Sequence, residues 1–175
     1  SDVQLVYQHP YEALSPRMRI RDAIAEPLRC HRLCPVHEVR ARVADLMRQV
    51  DLDEELGDRL PAQLSGGQCQ RVAIARALAM DPRVLIADEV TSALDVTLQA
   101  QVMDLLIRLQ KERGLTMIFI SHDLAVIRRL CNSVIVMRQG EIVEAGPTSD
   151  VFDHPTQEYT RMLIEAIPRL EAASS

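Results

Sequence analysis

Two short segments constrain the fold of this chain more than any other feature. The first, Leu64–Gln68, predicts a helix capped by Ser65, and its two glycines leave the first backbone amides uncovered. The second, Val84–Ala87, is an apolar run typical of a buried parallel strand, and it ends in the carboxylates Asp88 and Glu89. A helix start suited to phosphate, followed by a strand that ends in two acids, indicates a nucleotide-binding α/β protein.

The composition fits a globular protein of about one domain, with 175 residues of which 47% are hydrophobic and 26% charged. No apolar run approaches the ~18 residues that a membrane span needs, and the start of the sequence lacks the features of a signal peptide. We therefore expect a cytoplasmic protein. The net charge of −5 comes with scattered basic residues, which argues against a nucleic-acid partner.

A cluster of cysteine and histidine side chains invites a metal-site hypothesis. Its spacing matches no zinc pattern, and Pro35 interrupts the segment, so we favour ordinary small hydrophobic side chains and keep a metal site as the alternative. Cys69 and Cys131 lie apart in helical contexts and are interpreted as free thiols. The members of the cluster are Cys30, His31, Cys34 and His37.

The order of predicted elements favours an open, mostly parallel α/β sheet. In such sheets functional side chains gather at the carboxyl ends of strands, where Asp88, Glu89, Ser121 and His122 all fall. The acidic stretch 51–58 predicts a loop with one helical turn. We predict strands near residues 3–7, 84–87, 116–120, 133–137 and 141–144, and helices near 20–28, 36–50, 65–78, 97–112, 124–130, 148–152 and 157–167.

The two acids after the apolar strand have distinct candidate roles. Asp88 could hold the hydration shell of Mg²⁺ opposite the phosphates of a nucleotide, and Glu89 could act as general base towards an attacking water. The alternative is a buried strand that simply ends in two solvated acids.

The helix start is a candidate receptor for a γ-phosphate that is held mainly by another surface. Ser65 adds a hydroxyl donor, and Gly66 and Gly67 leave their amides open at the positive end of the helix dipole. The alternative is a glycine-rich helix start without function, which the continuation of the helix after Gln68 disfavours.

Three further side chains are uninformative alone and gain weight only from this context. Gln8, after the first strand, could bind Mg²⁺ or water through its amide oxygen. Asp95 could help place the attacking water across a dimer seam, or could simply cap the following helix. His122, after an apolar strand, could contact the γ-phosphate, although a lone histidine is more often structural.

Together these residues resemble a known family. Five motifs occur in the order and approximate spacing of the Q-loop, signature, Walker B segment, D-loop and switch histidine of ABC transporter ATPases. The flanking segments 8–18 and 25–28 and the tail at 154–163 are similar to the dipeptide, oligopeptide and nickel importer branch. The five motifs are Gln8, Leu64–Gln68, Asp88 with Glu89, Ser92–Asp95, and His122.

The resemblance implies a fold and a division of the chain. The fold would be the P-loop NTPase-like core of an ABC ATPase, a mostly parallel sheet with flanking helices, plus a helical subdomain and without the amino-terminal β-subdomain. We expect a strand and Q-loop at residues 1–8, the helical subdomain at 9–63, the catalytic half at 64–147 and a carboxyl-terminal helical extension at 148–175.

The chain departs from the family pattern in three ways, and only the first affects phosphate chemistry. No glycine is placed for the Gly-x-x-x-x-Gly-Lys phosphate loop, so about a hundred residues of the family pattern would be missing before Gln8. Val90 stands where proline is usual, and Cys69 stands where a larger polar residue is usual. We expect the chain alone to bind Mg·ATP weakly and to be inactive or nearly so, and we expect no iron–sulfur cluster.

The resemblance further implies an ATP- and Mg²⁺-dependent importer subunit for peptides or related small solutes, at the cytoplasmic face of the membrane. Its partners would be a second ABC ATPase subunit, transmembrane permease subunits and, indirectly, a solute-binding protein. Two alternatives stay open: a non-catalytic fragment that docks on a permease or partner subunit, and a non-transport ABC ATPase such as a component of phosphonate metabolism.

Overall fold

The computed structural model describes residues 2–92 and 94–166, without the side chain of Glu12. The described residues form two compact units, divided between Ile120 and Ser121. The first unit contains a parallel sheet with helices, and the second contains a hairpin with three short helices.

The first unit is built on a three-stranded parallel sheet in the order β1 (Val3–Val6), β2 (Val84–Asp88), β3 (Thr116–Ile120). The register places Val6 beside Ala87 and Ala87 beside Phe119, so the three strands end at one edge of the sheet. This arrangement confirms the predicted α/β class. It also places the acids that follow β2 at the carboxyl edge, where parallel sheets carry function.

Five helices belong to this unit. A 3₁₀ turn, Val36–Glu38, precedes the third of them, so the helix predicted over 36–50 is regular only from Val39. A second 3₁₀ turn, Glu54–Asp58, confirms the single helical turn predicted in the acidic stretch. The helices are α1 (Pro10–Ala13), α2 (Ile20–Cys30), α3 (Val39–Gln49), α4 (Gly66–Leu78) and α5 (Val96–Arg113).

Local sequence explains where α5 begins and ends. The carboxylate of Asp95 accepts a hydrogen bond from the Leu98 amide at 2.9 Å, which caps the helix start. Gly114 ends the helix with φ +63, in the left-handed region that favours glycine. Between these signals α5 buries one apolar stripe that includes Val102, Leu106 and Leu109.

The two faces of the parallel sheet differ in exposure. Leu85 and Ala87 are buried on one face, 0% and 1% exposed. On the other face the side chains of the edge strands are exposed, with Leu5 38% exposed, Ile118 48% and Ile120 49%. Parallel sheets are normally covered by helices on both faces, so this face is an uncovered apolar surface. The register places Asp88 at the end of the same face, beside Ile120.

The second unit is organised around the antiparallel pair β4 (Ser133–Arg138) and β5 (Glu141–Pro147). Gln139 and Gly140 form the connecting turn with φ of 54 and 85. In its described part, up to residue 166, three helices complete it: α6 (Leu124–Leu130), α7 (Thr148–Asp153) and α8 (Glu158–Glu165).

The structure adds two details that the sequence pattern did not predict, and it gives the bounds of the final helix. A short helix, α1, forms directly after Gln8, where we expected only a loop. Within the described residues β4 pairs with β5 and with none of the parallel strands. The predicted final helix runs from Glu158 to Glu165, and its predicted last residue, 167, lies outside the described residues.

Glu144 on β5 fixes the segment that leads into α8. Its carboxylate accepts hydrogen bonds from the Thr156 amide and hydroxyl, both at 2.8 Å, and from the Gln157 amide at 3.3 Å. The Thr160 hydroxyl first and the Thr156 amide second lower the pKa of Glu144 to about 2. Among the described residues the Thr160 hydroxyl makes no hydrogen bond of ordinary geometry, so we assign its effect to a nearby dipole.

This lowered pKa predicts acid sensitivity of the second unit. The Glu144 carboxylate stabilises the folded state above its ordinary pKa of 4.5, and the stabilisation is lost as the pH falls through its folded value of about 2. Thermal unfolding of Glu144→Gln should show a lower midpoint at neutral pH and a flatter acid dependence. Glu141→Gln, on an exposed residue of the same strand, is the control and should unfold like the parent chain; equal pH profiles for the parent and Glu144→Gln would contradict this account.

Candidate functional site

The carboxyl edge of the sheet carries the two predicted acids. Asp88 is the last residue of β2 and lies beside Ile120 of β3, and the Glu89 amide donates to the Ile120 carbonyl at 2.9 Å. Glu89 has a φ of +50, a left-handed conformation that is uncommon for a residue other than glycine. Both acids are half-buried, so they are held by the sheet and still reach solvent.

Gln8 contacts the loop that follows these acids. Its side-chain amide Nε2 donates to the Ser92 hydroxyl at 2.9 Å, and the Ser92 hydroxyl in turn donates to the Glu89 carbonyl at 2.9 Å. The structure thus brings together the ends of two neighbouring strands through side chains that the sequence had singled out. With Nε2 engaged, the Gln8 Oε1 remains an oxygen of the kind that Mg²⁺ prefers.

The start of α4 is the second candidate phosphate contact. The Gln68 amide donates to the Ser65 hydroxyl oxygen at 3.3 Å, and the Ser65 amide donates to Gln68 Oε1 at 2.9 Å, which forms a capping box. This confirms the predicted Ser65 cap. The hydroxyl hydrogen of Ser65 stays free to donate, and within the described part of the chain the amides of Gly66 and Gly67 have no acceptor.

The two glycines are not required by the local fold. A Cβ on Gly66 would meet only the Leu94 Cδ2 atom at 3.5 Å, an ordinary contact. A Cβ on Gly67 would lie 3.2 Å from the Leu98 Cδ2 atom, the end of a flexible side chain. Neither glycine has a positive φ. Glycine in a helix costs stability relative to alanine, so their presence fits the close approach of a ligand to the backbone.

Asp95 has a structural role that can be separated from the predicted catalytic one. We expect Asp95→Ala to lower the free energy of unfolding of the first unit by about 1 kcal/mol, because the Leu98 amide loses its acceptor. Asp95→Asn keeps the acceptor and removes the charge, so it should unfold like the parent chain in urea. Equal destabilisation by both variants would show that the charge, and not the cap, stabilises α5.

His122 follows β3 in the sequence and belongs to the second unit, where its side chain is exposed. The neighbouring residues form a defined turn: Asp123 accepts from the amides of Ala125 and Val126 at 3.0 and 3.3 Å, and the Ser121 hydroxyl accepts from the Asp123 amide at 3.0 Å. The turn therefore presents His122 at the start of α6. Its proposed contact with a γ-phosphate stays a prediction.

The groups at this edge and those at the start of α4 fit two different parts of a magnesium nucleotide. Asp88 and Gln8 offer oxygen ligands of the type that Mg²⁺ takes, and the open amides of Gly66 and Gly67 suit phosphate oxygens. In the described ranges, no three side chains among His, Cys, Asp and Glu come together as a metal-binding group. The cysteines of the segment 30–37 are free thiols, with Cys30 exposed and Cys34 half-buried.

The sequence did not predict two side-chain hydrogen bonds that connect residues 7–11 to α4 and the residue just before its cap. The Tyr11 hydroxyl donates to the Leu64 carbonyl at 3.1 Å, and Gln70, only 1% exposed, donates through Nε2 to the Tyr7 carbonyl at 3.5 Å. Both contacts join residues more than fifty positions apart. No local pattern in the sequence signals such a pairing.

A groove of about 410 Å³ lies between β1, α2 and α4. Its wall includes Tyr7, Pro27 and Met80, and an ion pair between Arg76 and Glu26 lies on it. Arg76 also donates to the Ala13 carbonyl at 2.6 Å, so the groove is bordered by the segment that follows Gln8.

In the described ranges no helix has both the length and the apolar character needed to cross a bilayer.

Family models match both ends of the chain. The model described as ABC transporter matches residues 1–92, and the model described as oligopeptide/dipeptide transporter, C-terminal region, matches residues 143–175. The glutathione import ATP-binding protein GsiA of Pectobacterium atrosepticum is 50% identical over 167 residues, which cover 95% of this chain and 27% of that protein. GsiA of Escherichia coli K12 is 49% identical over 170 residues, with 97% and 27% covered.

Solved structures agree with the sequence comparison. CbiO1 from Clostridium perfringens, part of the ABC transporter complex CbiONQ, aligns with a TM-score of 0.78 and 33% identity, covering 96% of this chain and 65% of that one. The ATP-binding cassette MJ0796, in a dimeric post-hydrolysis state with ADP and phosphate, aligns with a TM-score of 0.73 and 33% identity, covering 85% and 63%. The chain spans only about a quarter of the length of its GsiA relatives, at 27%. With over half of its residues matched by the ABC transporter model, the chain belongs to the ABC transporter family.

Proposed function

We propose that this chain forms the helical and carboxyl-terminal catalytic part of an ATP-binding subunit that drives import of peptides or related small solutes. The observation that carries the proposal is the contact of Gln8 with the loop after Asp88 and Glu89, through Ser92. This contact gathers three candidate groups at the carboxyl edge of the parallel sheet, where ligands of such sheets bind.

Each residue at this edge has a role that its chemistry supports. Asp88 and the Gln8 amide oxygen would hold Mg²⁺, which when bound neutralises charge on the phosphates. Glu89 would accept the proton of the attacking water as general base. The hydrogen bond from the Glu89 amide to the Ile120 carbonyl fixes the backbone that carries this carboxylate. Asp95 would reach across the dimer seam and help place the attacking water there, in addition to capping α5.

The start of α4 would contact a nucleotide held mainly by a second ABC ATPase subunit. The Ser65 hydroxyl and the Gly66 and Gly67 amides would donate to its γ-phosphate oxygens, while Gln68 keeps Ser65 in place through the capping box. His122 would contact the γ-phosphate of the nucleotide on its own subunit. ATP binding by the family and the dimer in the MJ0796 structure support this arrangement.

The helical subdomain, residues 9–63, would dock on transmembrane permease subunits and place the protein at the cytoplasmic face of the membrane. The groove beside α2 and the Gln8 segment supports this, because a partner bound there would contact the segment that follows Gln8. A solute-binding protein would join only through the permease. We assign the catalytic half to residues 64–147 and a carboxyl-terminal extension to 148–175.

The comparisons favour import over the other functions considered. The GsiA relatives are glutathione import proteins, and glutathione is a small peptide. The match to the oligopeptide/dipeptide transporter C-terminal region points the same way and away from phosphonate metabolism. A docking fragment without turnover remains the second candidate, because the sequence contains no glycine-rich phosphate loop with its lysine.

A chimera tests the proposal directly. The segment that precedes the matched region in E. coli GsiA would be joined to this chain, and steady-state ATP hydrolysis would be measured with and without Mg²⁺. We expect Mg²⁺-dependent hydrolysis that neither piece shows alone. A well-folded chimera that binds Mg·ATP and does not hydrolyse it would favour the docking function.

A further inference from the structure

The short helix α1 is bonded to the start of α4 by one side chain. The Tyr11 hydroxyl donates to the Leu64 carbonyl at 3.1 Å, and Leu64 directly precedes the cap residue Ser65. Leu64 is itself 6% exposed, so its carbonyl group lies at a packed position. A bond to this carbonyl restrains the peptide unit from which the α4 amides follow.

The Tyr11 hydroxyl lies close to the Cys69 side chain. Partial burial first, and then this neighbour, raises the pKa of Tyr11, which remains 48% exposed as a residue. Burial also raises the pKa of Cys69, which is 0% exposed and donates to the Pro61 carbonyl at 3.6 Å. The raised pKa values keep both groups protonated at neutral pH, so the Tyr11 hydroxyl can donate to the Leu64 carbonyl and the Cys69 thiol to the Pro61 carbonyl.

The same segment is bonded to the carboxyl edge of the sheet at its other end. Gln8, three positions before Tyr11, donates to Ser92, and Ser92 donates to the Glu89 carbonyl. Two sets of hydrogen bonds thus hold the short backbone segment 8–11, one from Gln8 through Ser92 to Glu89 and the other from Tyr11 to Leu64. This segment links the loop after β2 to the start of α4 within one compact unit.

We propose that Tyr11 is a positioning residue that transmits the state of the Gln8–Ser92 contact to the Ser65, Gly66 and Gly67 donors. The proposal rests on the function assigned to these donors above, because only then does their position affect phosphate contact. Tyr11 touches no reacting atom. It acts through the Leu64 carbonyl, and a displacement of Gln8 changes the geometry at the start of α4 only while the Tyr11 hydroxyl is present.

A double-mutant cycle on the complete chain tests this without nucleotide. Amide hydrogen exchange at Gln68 and Cys69, which are hydrogen-bonded to Ser65, is measured by NMR for the parent chain, Ser92→Ala, Tyr11→Phe and the double variant. The Gly66 and Gly67 amide chemical shifts serve as a second readout. Loss of one such hydrogen bond should raise exchange roughly fivefold.

The expected result is non-additive. Ser92→Ala should raise exchange at Gln68 and Cys69 in the parent chain and add little once Tyr11 is phenylalanine. Tyr7→Phe removes the same hydroxyl from a residue that uses only its carbonyl here, and it should leave exchange unchanged. Equal effects of Ser92→Ala in both backgrounds, or equal effects of Tyr11→Phe and Tyr7→Phe, would overturn the proposal.

The experiment separates this proposal from the proposed function. Because no nucleotide is present, the cycle can succeed even if the chimera proves inactive, and it can fail while the chimera hydrolyses ATP. If Tyr11→Phe did not fold, Ser92→Ala alone would test the proposal. Unchanged Gly66 and Gly67 amide chemical shifts in Ser92→Ala would show that the carboxyl edge of the sheet and the start of α4 are independent, and would overturn it.

Discussion

Glu89→Gln should abolish most ATP hydrolysis by the chimera while leaving Mg·ATP binding intact. A positioned general base contributes about 10²-fold or more to a rate, and glutamine keeps the size and the backbone contact of Glu89 while losing the basic oxygen. We therefore expect kcat to fall by about 10²-fold or more with little change in the affinity for Mg·ATP. Single-turnover hydrolysis and equilibrium binding would be measured on the same preparation.

The control for this prediction is Glu112→Gln, on an exposed residue near the end of α5 that should not affect hydrolysis. A second comparison, Asp88→Asn, should instead weaken the Mg²⁺ dependence of binding. If Glu89→Gln retained most of the parent rate, Glu89 would not be the base, and the assignment of roles at the end of β2 would have to change.

Gly66→Ala should keep or raise the free energy of unfolding while it lowers ATP hydrolysis by the chimera, whereas most substitutions lower stability. The added methyl meets only Leu94 Cδ2 at 3.5 Å, and alanine is the better helix former, so the free energy of unfolding should stay equal or rise by up to about 1 kcal/mol. The same methyl blocks approach to the open amides. Removing one such donor typically costs about 10²-fold, so we expect a similar loss of hydrolysis by the chimera.

Gly114→Ala is the matched control for this second prediction. Gly114 has a φ of +63 with nothing within 4 Å of an added Cβ, so alanine there is strained by its backbone alone. It should lower the free energy of unfolding by about 1 kcal/mol and leave kcat unchanged. Loss of stability in Gly66→Ala, or unchanged hydrolysis, would show that the glycine serves the fold rather than a ligand.

The sequence predicted those parts of the molecule whose causes are local. The apolar run that forms β2 and the Ser65 cap of α4 were both predicted, because period and capping chemistry act over a few residues. The parallel arrangement followed from the alternation of strands and helices.

Contacts between distant positions explain what the sequence could not predict. The Tyr11–Leu64 bond joins residues 53 positions apart, and Tyr11 lies outside the five motifs. The Gln8–Ser92 bond spans 84 positions and becomes visible only when β1 pairs with β2. Such pairings depend on tertiary packing, which single-chain patterns do not encode locally.

The uncovered sheet face likewise could not be predicted from the pattern of its strands. The strands β1 and β3 carry apolar residues on both faces, as parallel strands covered on each side do, and only the structure shows that Leu5, Ile118 and Ile120 remain open. This surface lies on the face that ends at Asp88. We therefore expect the GsiA segment of the chimera, which would hold the phosphates, to pack there.

The central claim is that this chain supplies the carboxylates and the α4 donors of an ATP site and lacks the cradle for the phosphates. An isothermal titration of the purified chain with Mg·ATP, using Glu89→Gln to suppress turnover, tests it most directly. The account predicts no saturable binding in the micromolar range. Saturable micromolar binding would contradict it, because some other surface of these residues would then hold the phosphates.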